Sequence, residues 1–308
     1  MTGLKPTSPF AIPNVRRFIA FRVCFNARFY YPVFAVLFLD FGLTLEQFAL
    51  LNAAWAATIV LLEVPSGALA DIIGRRNLLV VAAILMIAEL ILLCLAPQGR
   101  GQLLFFIFLA NRVLSGMAEA AASGADEALA YDALKRDGRP EDWGRVLERQ
   151  IRYQSMGYVI AMSVGAAVYD PDLLNRMMTG LGLTMRFNPE TTLRFPLYLT
   201  LAMAVGALVQ TLRMEDIEFD KTPAANKPDG RKNMITRTFQ MTFQAGRWIL
   251  QTPMALCIIL AGLLFDHVIR VVITLNSQYL RMIHYPEASF GLIGSGLALM
   301  GLFIPNIA

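Results

Sequence analysis

Gly67-Ala68-Leu69-Ala70-Asp71-Ile72-Ile73-Gly74-Arg75-Arg76 lies between two apolar runs, one beginning near Phe48 and the next at Leu78. About 20 apolar residues cross the hydrocarbon core of a bilayer, so each run reads as a membrane helix. The charged stretch between them reads as a tight turn at the membrane surface. Glu63, Gly67 and Asp71 recur every fourth residue and share one helix face. Gly67 lets a neighbouring backbone come close, and Gly74 permits the reversal that ends the helix. Arg75 and Arg76, just past the turn, are placed to pair with acids on adjacent helix ends. A lone Arg-Arg would be an ordinary cationic loop; glycines and an acid at fixed offsets make a motif.

The rest of the chain agrees with a membrane setting. Of 308 residues, 56% are hydrophobic and 16% charged, and the mean hydropathy is +0.52. Soluble domains carry roughly 25% charged residues. The net charge of +4 would suggest nucleic acid in a soluble protein, but here the cations cluster in the predicted loops, and no nucleic-acid partner is expected. Cys24, Cys94 and Cys257 are far apart in apolar runs, and His267 and His284 are the only histidines. No disulfide framework, metal site or cofactor is expected from them. The Pro-rich start has no small-residue cleavage site after its first hydrophobic run, so no removed signal peptide is expected.

Length and hydropathy predict about eight spans, at roughly 17–39, 46–70, 77–97, 103–128, 150–169, 194–213, 253–279 and 288–308. Connections alternate in charge. Arg16, Arg17, Arg75, Arg76, Lys135, Arg136, Arg139, Arg145, Arg149 and the cluster between Arg213 and Arg247 fall on one side, and Arg100, Arg176, Arg186 and Arg281 on the other. The positive-inside rule places the N-terminus and the cation-rich loops in the cytoplasm. Met214 to Lys232 is polar and turn-rich, a linker, and Phe239, Phe243 and Trp248 with Arg237 and Arg247 suggest an amphipathic helix after it. The expected organisation is a six-helix bundle over 1–213, a cytoplasmic linker over 214–250, and about two further helices over 251–308. The loop from Asp170 to Leu193 has room for a short helix near Leu173–Leu181.

The Gly-x-x-x-Asp-x-x-Gly-Arg-Arg pattern resembles the loop between helices 2 and 3 of the major facilitator superfamily. Asn111-Arg112-Val-Leu-Ser115-Gly116 is similar to that family's span-4 motif, an Arg followed four residues later by Gly. A weak repeat points the same way: Glu46-Gln47-Phe48 opens span 2, Glu287-Ala288-Ser289-Phe290 opens span 8, and Pro65 has a counterpart near Pro305. The resemblance implies an all-α membrane bundle with a complete first half and a partial second half, as if the last four of twelve helices were missing. It implies a permease without enzymatic activity, in the inner membrane. It also implies a conformational latch built from Gly67, Asp71, Gly74, Arg75 and Arg76 with Asp126 from span 4. Proton-coupled antiporters of the family have a Gly- and Pro-rich span 5; Gly157 to Gly165 keeps small residues at every fourth position but has no proline.

Charges inside spans carry the functional information, because each is costly in lipid and must face protein or a wet cavity. Arg28 lies midway along span 1 beside Asn26, and Glu63 lies in span 2. Arg112, Glu119 and Asp126 recur every seven residues in span 4, sharing a face with about 20° drift per heptad. Gln154 adds to a polar stripe in span 5, and Asp266 and Arg270 are four apart in span 7. Arg28, Glu63, Arg112 and Glu119 are expected to converge on a wet cavity with at least one Arg–Glu ion pair, where neighbouring acids would make a proton site. Each has a plainer alternative: Arg22 snorkels, Asp126 is solvated at its helix end, and Asp266–Arg270 is an intrahelical pair. There is no phosphate-binding loop, zinc-protease motif or nucleophile elbow.

Two readings remain. One is a secondary transporter of a small solute, coupled to a proton or another ion, working around a midplane site. The other is a shortened, non-transporting relative that serves as a binding or assembly partner. For either, cysteine-accessibility labelling should find Arg76→Cys and Lys232→Cys reactive from the cytoplasmic side only. External reactivity at either position would overturn the topology.

Overall fold

The computed structural model describes residues 8–99, 101–216 and 247–303, without some side chains of the last two helices. Every regular element among them is helical. Span 1 is not one helix. It is α1 (Pro13–Asn26) and α2 (Phe34–Phe41), with irregular backbone and a single 3-10 turn, Tyr31–Val33, between them. Pro32 is the local cause: it has no N–H to donate, and in a continuous helix its ring would collide with the Arg28 carbonyl. Irregular backbone survives inside a membrane bundle only where neighbours satisfy it. Here the Phe29 N–H donates to Thr200 Oγ1 at 3.0 Å, and the Ala35 N–H donates to Ser277 Oγ at 3.2 Å.

The remaining helices follow the apolar runs. α3 (Leu45–Ile73) opens with a capping box, Thr44 and Gln47 each accepting from the other's backbone N–H. It ends at Gly74, whose φ of 91° suits glycine. A Cβ there would also stand 2.2 Å from a carboxylate oxygen of Asp216. α4 (Arg75–Leu95) starts at once. Span 4 is α5 (Gln102–Ala122) and α6 (Ala125–Asp137), which extends beyond the expected end. α7 (Trp143–Tyr169) begins seven residues before the expected start of span 5. The loop after it holds α8 (Pro171–Gly180), where Pro171 opens the helix and Asp170 accepts from the N–H groups of Asp172 and Leu173. A short α9 (Pro189–Thr192) leads into α10 (Phe195–Arg213). α11 (Pro253–Met282) and α12 (Phe290–Phe303) complete the described chain.

Among the described residues, five segments are long and apolar enough to cross a membrane: Pro13–Phe41, Leu45–Ile73, Arg75–Leu95, Gln102–Asp137 and Pro189–Arg213. The expected linker core, the amphipathic helix before Arg247 and the region of Pro305 lie outside the described residues.

α1 packs against α6, α7 and α10, and α5 packs against α3 and α4. The seam around α2 is aromatic, with Phe38 in edge contact with Phe48 and Phe108. The small residues of span 5 serve close packing. Ala161 meets Ala27 and Phe29, and the Gly165 backbone lies directly against the Phe29 carbonyl. The last helix docks on the same α7: Gly291 sits on the Met162 carbonyl, and the Ser163 and Ser295 hydroxyls are 2.9 Å apart.

A Cβ at position 165 would stand 1.8 Å from the Phe29 oxygen, so Gly165→Ala must push span 1 off α7. A loss of about 1–3 kcal/mol is expected from overpacking. Gly180→Ala, with open space around it, should be neutral. Thermal unfolding of both variants in detergent measures the difference.

Candidate functional site

The break in span 1 places Arg28 at the centre of the bundle with only 1% of its side chain exposed. Its Nη1 pairs with Glu89 of α4, and its Nη2 lies 3.1 Å from Glu119 of α5. Tyr30 Oη is 3.4 Å from the same guanidinium. The network continues through Asn111, whose amide donates to the Glu89 carbonyl at 3.0 Å and whose Oδ1 accepts from Arg112 Nε at 3.1 Å. The Arg112 guanidinium lies over the rings of Phe34 and Phe38 at 5.2 and 5.1 Å, a contact that suits a weakly hydrated cation. Its Nη2 is buried without a hydrogen-bond partner among the described residues.

The cluster holds two guanidinium and two carboxylate groups, so formal charges balance inside an apolar bundle. Exposure separates its members. Glu89 is as buried as Arg28, whereas 32% of the Glu119 side chain is open. Glu119 is therefore the more accessible of the two carboxylates. Arg28 and Glu119, two of the four charges expected to converge, do meet; Glu89 is a member that the expected set does not contain. Its signal was available: it is a lone acid in the apolar run from Leu78 to Leu95, and an intramembrane acid implies a partner.

Other candidates lie elsewhere. Glu63 is exposed on α3 and takes only a 3.4 Å contact from Ser123, so it does not join the cluster. The Asn26 amide is turned back onto its own helix, donating to the Arg22 carbonyl at 2.8 Å. Gln154 accepts from Gln150 one turn earlier on α7. Asp266 and Arg270 fall on α11, and their side chains lie outside the described residues.

The charges after α3 are wired differently from the expected latch. Asp71 is exposed and forms no ion pair with Arg75 among the described residues. Arg75 instead pairs with Asp132 of α6, because α6 extends past the expected helix end and packs beside α4. Arg76 donates to the Leu212 carbonyl of α10 at 2.7 Å. Asp126 faces α1, 2.7 Å from Arg22, and Glu127 pairs with the same guanidinium, so Arg22 is clasped rather than snorkelling. Beyond α6, a hydrogen bond from Arg145, with Arg139 nearby, holds the Asp142 carboxyl below the usual carboxylate range.

At the opposite end lies a network that the sequence pattern does not reveal. Arg281 of α11 donates to both Asp40 oxygens at 2.6 and 2.8 Å and also meets Glu287. The Tyr169 hydroxyl donates to Asp40, and Asp170 accepts from the Ala288 N–H at 3.2 Å. Burial raises the Glu287 carboxyl above its usual range, against the pull of Arg281. The ends of α2, α7 and α11 and the start of α12 are thus joined.

The sequence model of the Major Facilitator Superfamily matches residues 18–308. No curated protein matches the chain.

Removing one partner of a buried ion pair leaves an uncompensated charge and costs about 3–5 kcal/mol. Arg28→Ala is expected to destabilise by that amount. The Arg28→Ala/Glu89→Ala double variant should lose clearly less than the sum of the two single losses. Chemical denaturation of the variants in mixed micelles closes the cycle, and simple additivity would show that the pair is not coupled.

Proposed function

Because the chain belongs to the Major Facilitator Superfamily, we propose that it is a secondary transporter that carries a small solute across the cytoplasmic membrane by alternating access. Membership brings a multi-pass membrane protein from a family of transporters. The rest of the reading rests on one observation. Arg28, Glu89 and Glu119 meet at the unwound middle of span 1, in the interior of the bundle. Broken helices at the membrane midplane are where transporters of this general design hold substrate and coupling ions. Glu119, the partly open acid, is the group assigned to exchange a proton or meet a polar solute. Asp266 and Arg270 of the seventh span stay in this reading as cavity residues from the second half.

The positive-inside pattern puts the N-terminus and the Arg75 end in the cytoplasm. The network of Asp40, Tyr169, Arg281 and Glu287 then lies at the external end and ties residues 1–213 to residues 251–308, with 214–250 as the linker. That supports an outwardly closed state. Arg75–Asp132 and Arg22–Asp126 take the role expected of Asp71 and Arg75, bracing the cytoplasmic end of the first bundle. Gly74 keeps its part in shaping the turn, whereas a Cβ at Gly67 would meet nothing within 4 Å, so the close backbone approach expected there is not found among the described residues. No described feature favours a non-transporting relative.

The test is reconstitution. A panel of sugars, amino acids, organic cations and organic anions is ranked by thermal shift of the purified protein, and the leading solute is followed into proteoliposomes. Uptake is expected, with Glu119→Gln changing its dependence on a pH gradient and Arg281→Ala raising external access to a cysteine at Ser277. Failure of every class to shift the protein or enter vesicles would contradict transport.

A further inference from the structure

Between α1 and α7, at the Arg75 end, runs a groove of about 550 Å³ that is separate from the charge cluster. Its mouth carries Arg16 and Arg149, both exposed. No acidic side chain lines it among the described residues. Elsewhere on α7 the cations are matched, Arg145 by Asp142 and Arg152 by Glu148, each at 3.0 Å. Arg16 and Arg149 form no ion pair among the described residues. Arg149 is held by stacking, with its guanidinium 3.7 Å from the Phe10 ring centroid. That contact uses the flat face of the group and leaves its N–H edges for an anion.

Below the mouth the chemistry changes. Ile19, Val23, Met156 and Ile160 line the groove, and Met156 and Ile160 are 47% and 56% exposed. The depth is informative. From Arg16 to Cys24 along α1 is about 12 Å, and from Arg149 to Ile160 along α7 about 16 Å, at the α-helical rise per residue. One leaflet contributes roughly 15 Å of hydrocarbon. Two cations at a surface with no acid partner among the described residues, above an apolar slot one leaflet deep, complement a molecule with an anionic head and an aliphatic tail.

We infer that this groove binds an acidic glycerophospholipid of the cytoplasmic leaflet. The headgroup phosphate lies between Arg16 and Arg149, and one acyl chain runs along Ile19, Val23, Met156 and Ile160. The leaflet assignment rests on the orientation in the reading above; the chemistry of the groove does not. A soluble phosphate would have no use for the slot, and a neutral lipid no use for the arginines.

Native mass spectrometry of the full chain in mild detergent tests the site, using phosphatidylglycerol and phosphatidylcholine with the same acyl chains. Phosphatidylglycerol should be retained preferentially. Arg16→Ala/Arg149→Ala should weaken it about thirtyfold while leaving phosphatidylcholine unchanged. Arg16→Lys/Arg149→Lys should keep most of the binding, which guards against a misfolded alanine variant. Ile160→Trp, which fills the slot without touching charge, should weaken phosphatidylglycerol too, and glycerol phosphate should not compete. Equal retention of the two lipids, or undiminished phosphatidylglycerol binding in the folded double-alanine variant, overturns the proposal. So does full competition by glycerol phosphate. Labelling of Arg16→Cys from the external side only would refute the orientation and the leaflet, whatever the lipid measurement gives.

Discussion

A guanidinium keeps its charge even in an apolar interior, where carboxylates close by offset the cost of burying it, and meeting that need for Arg28 organises the centre of this protein. Glu89 and Glu119 come from α4 and α5, so one side chain fixes how the first, third and fourth spans face each other. Arg28 reaches both because span 1 is unwound around it. The unwinding needs Pro32 to interrupt the helix, Thr200 to accept the freed Phe29 N–H, and Gly165 to make room for the Phe29 carbonyl. Separated from those neighbours, the break would expose unpaired backbone to lipid. The polar centre and the irregular backbone thus have a common origin.

The two ends of the bundle are held in different ways. At the Arg75 end the described links, Arg75–Asp132, Arg22–Asp126 and Arg76 to the Leu212 carbonyl, join spans 1, 3, 4 and 6 to one another. At the other end, Asp40–Arg281 crosses to the seventh span, and both side chains are about one-third exposed. Ion pairs so exposed are worth about 0–1 kcal/mol each, against about 3–5 kcal/mol for breaking a buried one. The cross-links at the Asp40 end can therefore part while the Arg28 cluster stays intact. The alternating access proposed above would need that ordering of strengths.

Much of the architecture was legible because membrane helices leave a strong signal in hydropathy. The turn at Gly74 stands where its spacing placed it, and the small residues from Gly157 to Gly165 do pack closely. Pairings were harder to read. Asp71 and Arg75 are close in sequence yet stay apart, because α6 continues far enough to bring Asp132 to Arg75. Asp40 and Arg281 each look like a solvated residue at a helix end, and nothing local to either reveals the other. Glu63 looks intramembrane by position but lies on an exposed face of α3; its depth was readable and its direction was not. Glu89 shows the reverse, a plain intramembrane acid whose partner only the break in span 1 could supply.

The central claim is that the Arg28 cluster communicates with the Arg75 end and is closed off from the Asp40 end. Labelling of Glu119→Cys in a background without Cys24, Cys94 and Cys257 addresses it directly. The reagent is a membrane-impermeant methanethiosulfonate bearing a sulfonate, which returns a negative charge to the position. The account predicts reaction from the Arg75 side in oriented vesicles and protection from the other side. Equal labelling from both sides, or from the Asp40 side alone, would contradict it.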